Sequence, residues 1–97
     1  MNLKSMDARV KRAVLEKIDE TLSNVDEVSQ IVQSLGCIPV ESKADFALGI
    51  AIGRVYNSFH YQTRRALKRN ATEKEFTEFL GILATKAEKI RKALKKQ

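Results

Sequence analysis

The stretch Ser42–Asn70, SKADFALGIAIGRVYNSFHYQTRRALKRN, decides the fold of this 97-residue chain. It opens with Ser42 and an acid three residues later, a spacing in which a hydroxyl and a carboxylate satisfy free amides of a first helical turn. No proline follows, and no stop signal occurs before Arg69 and Asn70. At about 1.5 Å per residue the segment is on the order of 40 Å long. The sequence therefore predicts one long central helix over residues 42–69.

The segments on either side also have helical spacing. The chain holds one proline and four glycines, and its apolar residues recur at intervals of three and four, which is typical of amphipathic helices. Helices are predicted at about residues 5–22, 24–35, 42–69 and 73–95. Gly36 ends the second of these, and the Thr72–Glu75 pattern begins the last.

The boundary between the first two helices depends on Ser23–Asp26, which has the pattern of a further capping box. Residues 5–35 therefore form either two helices, which we favour, or one kinked helix. Helices of these lengths with short connections pack as antiparallel neighbours. We expect a single all-α domain over residues 1–97, an elongated antiparallel bundle of three to four helices with one long central helix.

Composition excludes several classes of protein. With 43% apolar and 31% charged residues the chain can fill and solvate a core, which excludes a disordered chain. The single cysteine, Cys37, excludes a disulfide framework, and its apolar turn predicts a buried, unreactive thiol. The longest uncharged apolar run, Phe46–Gly53, has eight residues, against the roughly 20 needed to cross a bilayer. Together with the mixed charges of the first residues, this predicts a cytoplasmic protein with no membrane partner.

Signals for catalysis and cofactors are missing from the sequence. It contains no phosphate-binding glycine loop, no HExxH motif and no Cys/His cluster, so we expect no metal and no small-molecule cofactor. Whether the protein is an enzyme stays open, with a non-catalytic role favoured. His60 is the only histidine. It is either a general acid or base or, as we favour, a boundary residue with a half-packed ring.

The positive charge is concentrated in the second half of the chain. The formal net charge is +6. Residues 1–53 carry six basic and eight acidic side chains, net −2, and residues 54–97 carry twelve basic and four acidic ones, net +8. On an ideal helix the apolar side chains of the central segment, such as Val55 and Phe59, occupy one face. The opposite face carries Arg54, Ser58, Tyr61, Arg65 and Lys68.

This basic face favours one class of partner. Cations at intervals of one to three turns can meet successive phosphates, and a tyrosine between them can stack on an unpaired base. We expect a non-catalytic module that binds nucleic acid, with RNA or another single strand favoured, alone or as a subunit of a larger assembly. The expected contacts are Arg54, Tyr61, Arg64, Arg65, Lys68 and Arg69, joined by Lys89 and Lys92 in the last helix. The alternative is an ordinary solvated face on a structural or protein–protein interaction bundle whose basic end docks on an acidic partner.

One part of the central helix has no polar side chain at any angle. This is Phe46–Gly53, where Phe46 and Ile50 point away from the expected core face and Gly49 and Gly53 stand four residues apart. A segment that is apolar all round needs cover on more than one side, and glycines at this spacing let another helix approach closely. Either the first segment or a second copy of the chain covers it. We favour self-association through these four residues, as a homodimer or a larger assembly.

A short motif in the same helix resembles a known family. Arg54-Val-Tyr-Asn-Ser-Phe-His60, an arginine followed after five residues by histidine, is similar to the R-x(4–6)-H signature of HEPN domains, small all-helical proteins of which many are metal-independent RNases that work as dimers. The resemblance implies that Arg54 stabilises phosphate charge and that His60 moves a proton at an RNA backbone. Positions six apart on a continuous helix point about 120° away from each other. Both side chains reach one phosphate only if the helix is interrupted near Asn57 and Ser58.

Overall fold

A computed structural model describes residues 6–96, which form four α-helices and no strand. The helices are α1 (Ala8–Ser23), α2 (Val25–Ser34), α3 (Lys43–Leu67) and α4 (Glu73–Lys95). The molecule measures 48 × 23 × 22 Å. The predicted all-α, elongated bundle with one long central helix is confirmed.

The first helical segment divides at Asn24, as favoured from the sequence. The predicted capping box is not formed at this division. The Ser23 hydroxyl donates back to the Asp19 carbonyl at 3.1 Å, and no side chain caps α2. Helix α1 also begins later than the predicted residue 5, which itself lies outside the described residues. Asp7 is its N-cap and accepts from the Arg9 amide at 2.8 Å.

The two other helix starts follow the predicted chemistry. The Ser42 hydroxyl accepts from the Asp45 amide at 3.1 Å, and Thr72 and Glu75 form a complete capping box at the start of α4. Helix α3 ends two residues earlier than predicted. Lys68 closes it in the left-handed conformation, with φ 59°, and donates its amide to the Arg64 carbonyl at 2.9 Å.

Helix α3 lies between its neighbours, antiparallel to α1 and to α4. Arg54, midway along α3, pairs with Glu20 near the end of α1, whereas the start of α1 reaches α4 through the Met6 amide and the Glu78 carboxylate, 3.3 Å apart. Aromatic rings form the α3–α4 contact, where Phe59 stacks on Phe79 with ring centroids 4.5 Å apart. The turn between α3 and α4 therefore lies at the same end of the bundle as the start of α1.

The buried face of α3 is rotated from the predicted one. Ser58, placed on the polar face by sequence, is buried together with Val55 and Phe59. Thr63 is buried as well, and its hydroxyl donates to the Phe59 carbonyl at 2.8 Å, which satisfies that buried hydroxyl. The face of α3 turned to solvent runs through Gly49, Gly53, Asn57, Tyr61, Arg64 and Lys68, all of them exposed.

Candidate nucleic-acid interface

The last two turns of α3 present an exposed ring among cations. Tyr61 is 51% exposed, and Arg64, Arg65 and Lys68 beside it are exposed too. Arg64 and Arg65 follow Tyr61 by three and four residues, which places them within one helical turn of it, and Lys68 follows at the C-cap of α3. None of these three cations forms an ion pair with a carboxylate within residues 6–96. We call these four residues the basic face.

Arg54, the first predicted contact, lies outside this face. Its guanidinium is 2.5 Å from a Glu20 carboxylate oxygen and 3.2 Å from one of Glu27, and its side chain is 27% exposed. Hydrogen bonds from Lys17 and then from Arg54 lower the pKa of Glu20. A phosphate at Arg54 would have to displace two carboxylates. The arginine connects α3 with both α1 and α2 instead.

Arg69 is similarly engaged, in the turn before α4. Its guanidinium donates to both oxygens of Glu75, at 2.8 and 3.0 Å, and to the Asn70 carbonyl at 2.9 Å. Glu75 has a side chain only 5% exposed and also accepts from the Thr72 amide at 2.8 Å. The hydrogen bonds from Arg69, aided by Thr72, hold the pKa of Glu75 at about 2, below its ordinary 4.5. This network fixes the geometry of the turn.

Lys89 and Lys92 are exposed but belong to the other end of the bundle. They follow Glu75, which contacts Arg69, by 14 and 17 residues along the straight axis of α4, or about 21 and 25 Å. The end of α4 instead borders the start of α3, where Lys95 and Lys43 line one depression. The structure therefore divides the predicted contacts into two separate basic regions.

His60 has the predicted half-packed ring. Its centroid lies 4.8 Å from that of Tyr56, 5.0 Å from that of Phe59 and 6.1 Å from that of Phe76. Helix α3 is continuous through residues 57 and 58. His60 thus packs toward α4 whereas Arg54 packs toward α1 and α2, and the structure does not bring the two residues of the HEPN-like motif together within one chain.

The predicted self-association residues differ in exposure. Gly49 and Gly53 are exposed, and a Cβ atom built on either would meet nothing within 4 Å. Phe46 and Ile50 are only half-buried and pack against the core. Phe46 also lines a small pocket of about 190 Å³ beside the loop before α3. Cys37 in that loop is exposed, so the predicted buried thiol is wrong.

Sequence reasoning missed a depression between α3 and the start of α4. Tyr56 and His60 share a shallow depression with Glu73 and Phe76. The aromatic residues of α4 occur at positions 76 and 79 with the same three-residue spacing as any core stripe. Nothing in that spacing distinguishes the half-buried Phe76 from the buried Phe79.

Within residues 6–96 no group of three His, Cys, Asp or Glu side chains is arranged to hold a metal ion. No helix of that region is long and apolar enough to cross a membrane. Comparison of the chain with protein-family models finds no match, and comparisons with curated proteins and with solved structures find no significant match. A functional assignment therefore depends on the chemistry of the residues themselves.

Proposed function

We propose that the protein binds single-stranded nucleic acid, RNA above all, without catalysis, through the basic face of Tyr61, Arg64, Arg65 and Lys68. The observation that carries the proposal is an exposed aromatic ring among three cations that form no ion pair with a carboxylate of residues 6–96. Phosphates supply the missing counter-charge, and a base of a single strand supplies a partner for the ring. The dipole of α3 favours cations near its C-terminus, but it does not account for a tyrosine left half in water.

The other predicted cations differ in how readily they could bind phosphate. Arg54 and Arg69 would have to give up carboxylate partners before they could bind phosphate, so we assign them to stability first. Lys89 and Lys92 can meet only a strand that extends along the bundle, because the helical rise puts them about 21 and 25 Å along α4 from the Glu75 partner of Arg69. We propose that a short strand is held by the basic face alone.

The test is a salt-dependent titration of the 97-residue chain. Fluorescence anisotropy with labelled 12-nucleotide RNA, the matching DNA strand and duplex DNA would be measured between 50 and 200 mM salt. Three phosphate contacts on a single strand predict a slope of about −2 in log K against log salt, or a loss of roughly 20-fold in affinity over this range. Tyr61→Ala should weaken binding of single strands by about 5- to 100-fold.

Two triple charge-reversal variants with the same net charge would identify the surface that binds nucleic acid. Arg64→Glu, Arg65→Glu and Lys68→Glu together should abolish binding. Lys89→Glu, Lys92→Glu and Lys96→Glu change the net charge by the same amount at the other end of the bundle and should retain most of it. Equal losses in the two triple variants, or binding that does not change with salt, would contradict a specific basic face.

We also propose self-association through the first half of α3, where a second copy of the chain packs its own α3 on Gly49 and Gly53. The open space above both glycines supports this, as do the exposed apolar residues Ile38 and Val40 in the adjoining loop. Sedimentation equilibrium between 5 and 500 µM would test it. A monomer at every concentration would exclude self-association and would leave the nucleic-acid proposal untouched. Assembly with other subunits and a cytoplasmic location stay predictions.

A further inference from the structure

A shallow depression of about 300 Å³ lies between the second half of α3 and the start of α4. It is lined by Tyr56, His60, Ala71, Thr72, Glu73 and Phe76. This volume is at the lower limit of small-molecule sites, which run from roughly 300 to 1,000 Å³. It suits a single planar ring system rather than a whole cofactor.

The floor of the depression is aromatic. Tyr56 meets His60 edge to face with centroids 4.8 Å apart, and His60 lies within 25° of parallel to Phe76 at 6.1 Å. The rings are too close together for another ring to enter between them. Tyr56 is 46% exposed, so the cluster offers its outer faces, on which a further ring can stack.

One charged side chain, Glu73, lines the depression, and one cation, Arg64, lies farther along α3 from it. Glu73, the first residue of α4, is exposed and forms no ion pair among the described residues. Glu75, by contrast, forms an ion pair with Arg69. Arg64 follows His60 by one helical turn and belongs to the basic face. A ligand that fits has a planar ring, hydrogen-bond donors on one edge and a negative charge farther along, which is the chemistry of a nucleotide.

The carboxylate of Glu73 selects among the bases. An ionised carboxylate only accepts hydrogen bonds. Guanine carries two adjacent donors, N1–H and the N2 amino group, on its Watson–Crick edge, whereas the other bases offer one donor there or alternate donors with acceptors. That edge is free only in an unpaired base.

We propose that this depression binds one unpaired guanine of the strand that the basic face holds. The base stacks on the exposed ring of Tyr56, its Watson–Crick edge donates to Glu73, and a phosphate beside it meets Arg64. The inference rests on the proposed function and adds a base preference to it. It also gives the reason why single strands are preferred to duplexes, in which this edge is already paired.

The experiment compares 12-nucleotide RNAs by anisotropy at 100 mM salt. One strand is all uridine, and the others carry a single central guanosine, inosine, adenosine or cytidine. Guanosine should raise affinity about tenfold over uridine, in line with one stacked and hydrogen-bonded base. Inosine, which lacks the N2 amino group, should give only part of this gain.

Two variants identify the groups responsible. Glu73→Gln should remove the preference for guanosine and leave affinity for the all-uridine strand unchanged. Glu16→Gln, a change of the same charge at an exposed carboxylate of α1, should keep the preference. Tyr56→Leu should also lose it, provided that circular dichroism shows an unchanged helical content.

The outcomes separate the two proposals. If the all-uridine strand binds and all five strands bind equally, the guanine site is refuted and the basic face stands. If no strand binds, the basic face is refuted. The depression is then tested alone with 5′-GMP and 5′-AMP by NMR of the His60 ring protons. Shifts with GMP and none with AMP would support the guanine site, and equal or absent shifts would refute it.

Discussion

Alanine in place of the helical glycines should stabilise the monomer. Gly49 and Gly53 lie inside α3 and Gly81 inside α4, and all three are exposed. None has a positive φ. A Cβ atom at each position meets nothing within 4 Å. A methyl group therefore adds no clash, and only the helix propensity of the residue changes.

The size of the effect follows from that propensity. Glycine in a helix interior is about 0.8–1 kcal/mol less favourable than alanine, partly because the unfolded chain loses more freedom at glycine. The three positions share no contact through the added methyl groups, so their effects should add. The triple variant gains roughly 2–3 kcal/mol, or on the order of 10–20 °C in Tm, since 1 kcal/mol moves the Tm of a domain of this size by about 4–8 °C.

Thermal and urea unfolding would be followed by circular dichroism at low micromolar and at several hundred micromolar protein concentration, so that an effect of a second chain can be recognised by its dependence on concentration. Gly81→Ala is the internal control because it lies on another helix. If all three single variants fail to gain stability, the inference that a methyl group fits at each glycine without a clash is refuted. If only Gly49→Ala and Gly53→Ala fail, a second chain contacts the backbone there, and sedimentation should show weaker association of those two variants.

Three further predictions concern the turn and the core. Glu75 has a folded pKa of about 2 against an ordinary value of 4.5, so its contribution, about 2 kcal/mol after screening at the half-exposed Arg69, is present above pH 4.5. It is lost as the pH falls toward 2, so urea unfolding at pH 6, 4 and 2.5 should show a larger loss of stability in the parent than in Glu75→Gln, in which paired carboxylates such as Asp7 still titrate. Lys68→Gly should raise the free energy of unfolding by about 1 kcal/mol, because glycine adopts the left-handed conformation without strain. A lower stability of this variant would contradict the prediction. The variant should also bind RNA more weakly in the anisotropy assay, because it lacks one cation of the basic face. Phe79→Ala should cost about 3–5 kcal/mol, because it leaves a cavity beside the stacked Phe59, and a cost under 1 kcal/mol by urea unfolding would mean that this stack contributes little.

The helices could be predicted from sequence because their start signals are local. Ser42 and Thr72 satisfy amides three residues away, so the chemistry of each cap is contained in a four-residue pattern. The orientation of α3 could not be predicted in the same way. Ser58 and Thr63 are polar but buried, and the hydroxyl of Thr63 is satisfied by a carbonyl of its own helix. A helical projection that sorts side chains by polarity alone places such residues on the wrong face.

The candidate interface was predictable in part, for a related reason. Tyr61, Arg64 and Arg65 are neighbours on one helix, so their proximity follows from helical geometry, and Lys68 is the C-cap residue directly after it. The engagement of Arg54 depends on Glu20 and Glu27, which are more than 25 residues away in sequence. The spacing of residues within α3 does not show which carboxylates of α1 and α2 contact it.

The turn between α3 and α4 also bears on the order of folding. The Arg69–Glu75 ion pair joins residues six apart, the Thr72–Glu75 box joins residues three apart, and Phe59 and Phe79 close a loop of about 20 residues. The contacts of α1 with α3 span more of the chain, as between Glu20 and Arg54, 34 residues apart. Short loops lose less entropy on closure, and contacts of low sequence separation form faster. We expect the α3–α4 hairpin to be structured in the folding transition state and α1 to dock afterwards. The basic face and the neighbouring depression would then be assembled before the rest of the bundle.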